Sequence, residues 1–471
     1  MSHPPSLGTA REQFRRRFGC VFMLLGIVSL PALVAAVSFA IWYGTVQSEL
    51  DSLMARIVER GEPISFSDLA PKPIDSEDDG TPLLMAAIAK LQTISPEFDN
   101  RLGGNPGADP TLLTTLDANA EALQLLRQAI SKPHLRLPLD FQSDHPWRLR
   151  LEPVREARKF GRLLEGELLY AIGKSDHRRA VRAVEDSFGL CELFRDEPFV
   201  ITQLVRFSQG ATAFTSLKTL VGHVALTGDE FDALDDRLAG MERSWKLVSC
   251  VMAERATILT EMNHVTTEDL KEHMNDLGWT EEPVPDRPWH SVWYRPMLMG
   301  DQLFALEKLT KWAEVADEPG PETVRLMKEF ESAFKDTGRD HPLSRILRPS
   351  IQTHGEGGYR LRQRLAIARL GMRVDRYFME HKTLPDSLTK VLDNKMKTLP
   401  VDLLSGKPLI YRVLPTGFMI YPVGENGIDD GAGLKPDLWE YLCNFEVRYQ
   451  RLLDESDEPD ATTQSNRQSQ P

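Results

Sequence analysis

Cysteine is scarce: the chain has 4 in 471 residues, too few for a fold built from disulfides. Cys20 lies inside an apolar run, and Cys191, Cys250 and Cys443 show no CxxC spacing. A Cys191–Cys250 bridge and a pair of buried free thiols are both open, because cysteine also serves as a small hydrophobe. Positive charge is short as well. Lys and Arg number 56 against 69 Asp and Glu, for a net charge of −13. That excludes a nucleic-acid binder, whose phosphate contacts need a concentrated basic face. The basic run "REQFRRR" borders an apolar segment, and "YRLRQRLAIAR" fits the solvated face of a helix. Catalytic signatures are missing too. With no GxSxG elbow, HExxH pair or Walker pattern, no reaction is legible and no enzyme is expected. "QTHGEGGYR" is glycine-rich but lacks the lysine-serine or lysine-threonine ending of a phosphate loop, so a linker into a helix starting near Tyr359 is expected. His264 and His273 stand near Glu268 and Glu272. About two and a half turns apart, these histidines would face opposite sides of one helix and count as surface charge. Glu165 with Glu167, and Asp235 with Asp236, are likewise expected on solvated helix faces.

What is abundant is apolar and periodic. Hydrophobic residues make up 41% and charged residues 27%, as in a folded protein, and the length fits roughly two or three domains. From Phe18 to Tyr43 no residue is charged, which exceeds the roughly 20 residues a helix needs to cross a bilayer. Arg15, Arg16 and Arg17 precede this run, and Trp42 and Tyr43 close it. That pattern keeps the N-terminus cytoplasmic and places the rest of the chain outside. The run is longer than the roughly 7–15-residue core of a cleaved signal peptide, so a single-pass signal-anchor is expected.

Helical spacing is explicit in the body. Phe160, Leu164, Leu168 and Ala171 share a face, and after "GKSD" a second stripe runs through Val181, Val184, Phe188, Cys191 and Phe194. Two such helices on a short turn make an antiparallel hairpin. The hairpin loosely resembles a tetratricopeptide unit, without a second copy at a fixed period. Thr227 and Glu230 stand at capping-box spacing ahead of a stripe through Phe231, Leu234, Leu238 and Met241. A helix from Trp245 to about Asn263 follows. "EEPVPDRPWHSVWYRPMLMG" is expected to be a long connection pinned by Trp289, Trp293 and Tyr294.

Near the C-terminus, "KPLIYRVL" and "GFMIYPVG" flank "PTG" and predict a β-hairpin. "ENGIDDGAG" adds carboxylates between glycines that allow tight turns. "RVDRYFMEHKTLPDSL", "LPVDLLSGKPLIY" and "MIYPVGENGIDDG" follow in the order seen in the C-terminal part of the major pseudopilins of type II secretion, which this stretch resembles. The resemblance implies a long helix on a small antiparallel sheet and calcium held by the final loop. Its ligands would be Asp429 and Asp430, joined by Asn426 and Asp437. Calcium takes oxygen ligands from flexible, carboxylate-rich loops, and the same loop also reads as a solvated acidic turn that binds nothing. The departures are the long body between anchor and module, Leu403 where the family has proline, and an extra helix predicted over "LKPDLWEYLCNFEVRYQRLL".

The expected chain is therefore mainly α. Residues 1–17 are a cytoplasmic basic segment, 18–43 a transmembrane helix, and 44–80 a juxtamembrane helix and linker. Residues 81–340 form an extracytoplasmic helical-hairpin domain. Residues 345–454 form a pseudopilin-like α+β module with its extra helix, and 455–471 a disordered polar tail. Such a protein would sit in a bacterial cytoplasmic membrane and act on envelope proteins as an interaction or scaffold protein. The alternatives are a component of a type II secretion or pilus-like assembly, and an envelope enzyme with its site in a cleft between the body and the C-terminal module, which buried His, Asp or Glu converging around His290 or His264 would mark.

Overall fold

The computed structural model describes residues 7–149, 151–276, 286–337, 340–348, 351–415, 417–429, 431 and 441–444; side chains before 32, at 351–352 and at 441–444 fall outside the description. The described chain is mainly helical. Helix α1 (Leu7–Glu59) is continuous for 53 residues. Its last turns enter the body, where Leu50, Leu53 and Ile57 are buried against Leu259, Met299 and Leu306. Its exposed part is different: from Ala32 to Ser38 every side chain faces outward. Among the described residues no helix is long and apolar enough to cross a membrane, and the expected span at 18–43 lies outside the described side chains up to residue 31.

A first layer is formed by α2 (Thr81–Lys90), α3 (Pro96–Asp99), α4 (Pro110–Ala118), α5 (Ala120–Ile130) and α6 (Glu152–Gly173). With α7 (His177–Leu193), α6 makes the antiparallel hairpin. All nine stripe residues, from Phe160 to Phe194, are buried. The Asp176 carboxylate caps α7 by accepting from the Arg179 amide at 3.1 Å. Next come α8 (Val200–His223), α9 (Gly228–Ser244), α10 (Val248–His264), α11 (Thr267–Asp276), α12 (Arg295–Val315), α13 (Pro321–Asp336), α14 (Pro342–Ile346) and α15 (Ile351–His381). The capping box at α9 forms as spaced: the Glu230 amide donates to Thr227 Oγ1 at 3.3 Å, and the Thr227 amide to Glu230 Oε2 at 2.9 Å. Strands β1 (Ile410–Leu414), β2 (Gly417–Tyr421) and β3 (Tyr441–Asn444) form an antiparallel sheet in that order, with Leu414 opposite Gly417 and Phe418 opposite Cys443.

Several expectations need correction. The glycine-rich "linker" is the first part of α15, which begins at Ile351. Its glycines are there for close packing: a Cβ would lie 2.4 Å from Met327 Sδ at Gly355, 2.6 Å from Phe207 Cδ2 at Gly357 and 2.5 Å from Leu247 Cδ2 at Gly358. Where the extra C-terminal helix was expected, Tyr441–Asn444 is instead strand β3, because the free edge of β2 needs backbone partners; the rest of that segment lies outside the described residues. Arg369 and Arg373 are buried, not solvated. Both reach Asp235 on α9, which is buried as well. Glu167 is another buried acid, held by Arg127 at 2.6 Å and Arg179 at 2.9 Å. Trp289 is buried as a pin, but Trp293 is 75% exposed. Cys191 and Cys250 are free and buried, which settles the alternatives in favour of thiols. Phe418 and Ile420 of β2 share one cluster of buried side chains with Leu365 of α15 and Phe188 of α7.

Candidate functional site

The acidic loop places two of its four expected ligands; Asp430 and Asp437 lie outside the described residues. Asp429 is already engaged. Its Oδ1 accepts from the Tyr421 hydroxyl at 2.9 Å and the Gly431 amide at 3.0 Å, and its Oδ2 accepts from Arg412 Nη2 at 2.7 Å. The Tyr421 hydroxyl, with the Gly431 amide and Arg412, holds this carboxyl below the usual range. Asn426 Oδ1 accepts from the Ile428 amide at 3.0 Å, an Asx turn. Both described residues thus spend their oxygens on the chain itself. A cation at Asp429 would compete with the half-exposed Arg412 for the same carboxylate, and the other two expected ligands lie outside the described residues. Among the described residues, no group of three or more His, Cys, Asp or Glu side chains is placed to hold a metal. The residue that organises this end of the fold is Asp402, which is buried. It accepts from the Leu404 amide at 2.9 Å and the Gly424 amide at 2.9 Å, joining two turns.

His264 and His290 are each tied to the backbone, and His264 Nε2 also lies 3.5 Å from Asp144 Oδ1. His264 Nδ1 donates to the Thr260 carbonyl at 3.0 Å, and His290 Nε2 donates to the Val265 carbonyl at 3.0 Å. Helix α10 ends at His264, so His273 sits on a separate helix, α11, where its ring stacks on Trp147 with centroids 4.3 Å apart.

That stack borders a better-built site. On α10, Glu254, Thr257, Ile258 and Glu261 fall at helical spacing i, i+3, i+4 and i+7, which puts them on one face. They line a cavity of about 350 Å³. Trp147, Leu149 and Leu151 supply a second wall from the connection before α6, and Phe199 to Leu204 a third from the start of α8. Local hydrogen bonds hold these walls. The Phe66 amide donates to Thr260 Oγ1 at 2.8 Å, and the Phe66 ring stacks on Phe141 at 5.3 Å and lies 5.9 Å from Phe199. Arg148 bridges Asp269 at 2.7 Å and Glu272 at 2.6 Å, so Trp147 is fixed beside α11.

The two glutamates differ. Glu261 Oε1 accepts from the Trp147 amide at 3.0 Å and Oε2 lies 3.3 Å from His145 Nδ1. Even so, burial pushes its carboxyl up to about 8. Glu254 has no hydrogen-bond or ion-pair partner among the described residues, and burial alone pushes it up to about 7. Chemically, the cavity encloses an apolar body and offers one polar head group an acidic contact. The spacing of 254, 258 and 261 is readable in "ERATILTEM", but their shared cavity depends on walls from remote segments.

A pH prediction follows. Folded-state values raised above the ordinary carboxyl value of 4.5 mean that the native state holds protons the unfolded chain releases. The stabilising contribution is complete below about 4.5 and is lost as pH rises through 7 to 8. Glu261→Gln should therefore raise the melting temperature relative to the parent more at pH 8 than at pH 5, measured by thermal unfolding. A difference that is the same at both pH values would contradict this. His145 and Arg148 on the facing connection, with Asp144 and Asp269, are the other charged or titratable groups around Glu261. The site has to be read from this chemistry alone, for the chain matches no protein-family model, no curated protein and no solved structure.

Proposed function

We propose that this chain is a single-pass protein of a bacterial cytoplasmic membrane whose extracytoplasmic helical body works as a binding and interaction unit. The observation that carries this reading is the exposed band of α1. Leu33, Val34, Val37 and Ile41 are 61%, 57%, 50% and 64% exposed, and Ala32, Ala35 and Ala36 beside them are exposed too. A helix that is apolar on every side and bare of packing is unfavourable in water and at home in lipid. Its other end enters the body as the same continuous rod, so anchor and body are mechanically one piece.

The aromatic groups support the same geometry. Trp42 is exposed, and the Trp293 ring lies 5.6 Å from Phe39. Exposed Val292 and Trp293 therefore sit at the level where a membrane–water interface would collect tryptophan. Arg15 to Arg17 at the far end mark the cytoplasmic side. Packing of α15 on the small sheet supports likeness to the pseudopilin C-terminal part as a partner-binding element, and assembly with envelope proteins would use it. The ties of His264 and His290 to backbone carbonyls favour binding over catalysis at that end of α10.

Alkaline carbonate extraction tests the anchor. The full chain should stay with the membrane pellet, and a variant lacking 18–43 should move to the supernatant. Release of the full chain by carbonate would overturn the reading.

A further inference from the structure

We infer that the cavity on α10 binds an amphiphilic organic cation, with the apolar body between α8 and the 147–151 connection and the ammonium group at Glu254. The inference rests on reading the body as a binding unit, and it is independent of where the membrane lies.

Size and lining fit. A volume of about 350 Å³ lies within the roughly 300–1,000 Å³ of small-molecule sites. Most of the wall is aliphatic, as at Leu149, Leu151, Val200 and Ile258. Phe66, Phe199 and Trp147 add aromatic rings, whose faces attract a desolvated cation.

The charge is what selects the ligand. Glu254 lines the cavity and has no donor from the described protein. Glu254 is half-buried, with its carboxylate open to a mostly apolar cavity; ionising it there is costly, and a cation entering from outside would supply the counter-charge. Glu261, two turns further along α10, is already committed to the Trp147 amide and His145, so the open position is at Glu254. Arg348 also lines the cavity and has an interaction of its own. A neutral apolar ligand would leave Glu254 unpaired, and an anion would meet it with like charge.

The charged and titratable groups around Glu254 are Cys250 and Glu261 on its own helix, His273 on α11 and Arg348 after α14. Glu254 and Glu261, with values of about 7 and about 8, both ionise as pH rises, so the cavity gains negative charge and cation affinity rises with pH. Glu254→Gln separates the open carboxylate from the one already committed to Trp147 and His145.

Calorimetric titration of the full chain in a nonionic detergent tests this with three soluble probes: benzyltrimethylammonium, benzyl alcohol and phenylacetate. Saturable binding of the cation is expected at pH 8, with affinity about tenfold lower at pH 6, one charge-assisted contact being worth that much. Glu254→Gln should weaken the cation about tenfold and leave benzyl alcohol unchanged. Ile258→Trp, which fills the cavity, should weaken both, with circular dichroism confirming that each variant is folded. No saturable cation binding by the folded parent, equal affinity in Glu254→Gln, or preference for phenylacetate would each overturn the assignment. None of these results bears on carbonate extraction, so failure here and failure of the anchor are separately visible.

Discussion

Asp235→Ala should lower the free energy of unfolding by about 3–5 kcal/mol, the usual loss when one partner of a buried ion pair is removed. Asp235 is 0% exposed. Its Oδ1 accepts from Arg369 Nε at 2.9 Å and Arg373 Nη1 at 2.6 Å, and its Oδ2 from Arg373 Nη2 at 2.8 Å. Burial works against the charged carboxylate, but the hydrogen bonds from Arg373 and Arg369 outweigh it and hold the carboxyl below its ordinary value. Removing the carboxylate leaves two guanidinium groups buried against α9. Glu242 Oε2 at 2.8 Å and Asp393 Oδ2 at 3.1 Å take up part of the charge, which puts the loss within that range and not above it. Denaturant unfolding measures it. A triple change of Asp235, Arg369 and Arg373 to apolar residues of similar volume should lose much less, because no fully buried charge is stranded; Glu242 and Asp393, which lose their arginine partners, are 30% and 41% exposed and reach water. A loss below about 1 kcal/mol for Asp235→Ala, typical of an exposed pair, would contradict the burial of this network.

The second large effect concerns glycine and has a sign that simple propensity gets wrong. In an exposed helix, Gly→Ala stabilises by about 1 kcal/mol. At Gly357 the added Cβ would stand 2.6 Å from Phe207 Cδ2. That ring cannot give way easily, since it packs on Trp245 at 5.0 Å and on buried His354 at 5.6 Å. Gly357→Ala should therefore destabilise by about 1–3 kcal/mol, the range for overpacking a filled core. Gly240, on α9, has nothing within 4 Å of its Cβ position, and Gly240→Ala should stabilise the same protein. Thermal unfolding of the two variants side by side gives the comparison. Stabilisation at both positions would show that α15 is not packed as closely as described.

These two sites also show where the sequence could be read and where it could not. The α6–α7 hairpin and the α9 cap were legible because each is specified locally, by a stripe of apolar residues or by Thr227 and Glu230 three positions apart. Arg369 and Arg373 were not, since a buried arginine and a solvated one have the same helical spacing and only the remote Asp235 tells them apart. Gly355, Gly357 and Gly358 read as a loop because glycine usually marks one; the neighbours that require them come from α8, α13 and the Leu247 turn. At the candidate site the face through Glu254, Ile258 and Glu261 was legible as spacing. Its meaning was not, because the opposing walls at Trp147 to Leu151 and at Phe199 to Leu204 come from segments remote in the chain. The acidic loop drew attention through its carboxylates, yet Arg412 and Tyr421, on the two hairpin strands, determine what Asp429 does.

The account depends on α1 carrying the body across a bilayer, and reporter fusion placed just after Glu59 asks this directly. Alkaline phosphatase, which matures only outside the cytoplasm, should be active at that position, and a green fluorescent protein of the kind that fails to fold after export should be dark. A dark phosphatase and a bright fluorescent protein would put the body inside the cell and contradict the account.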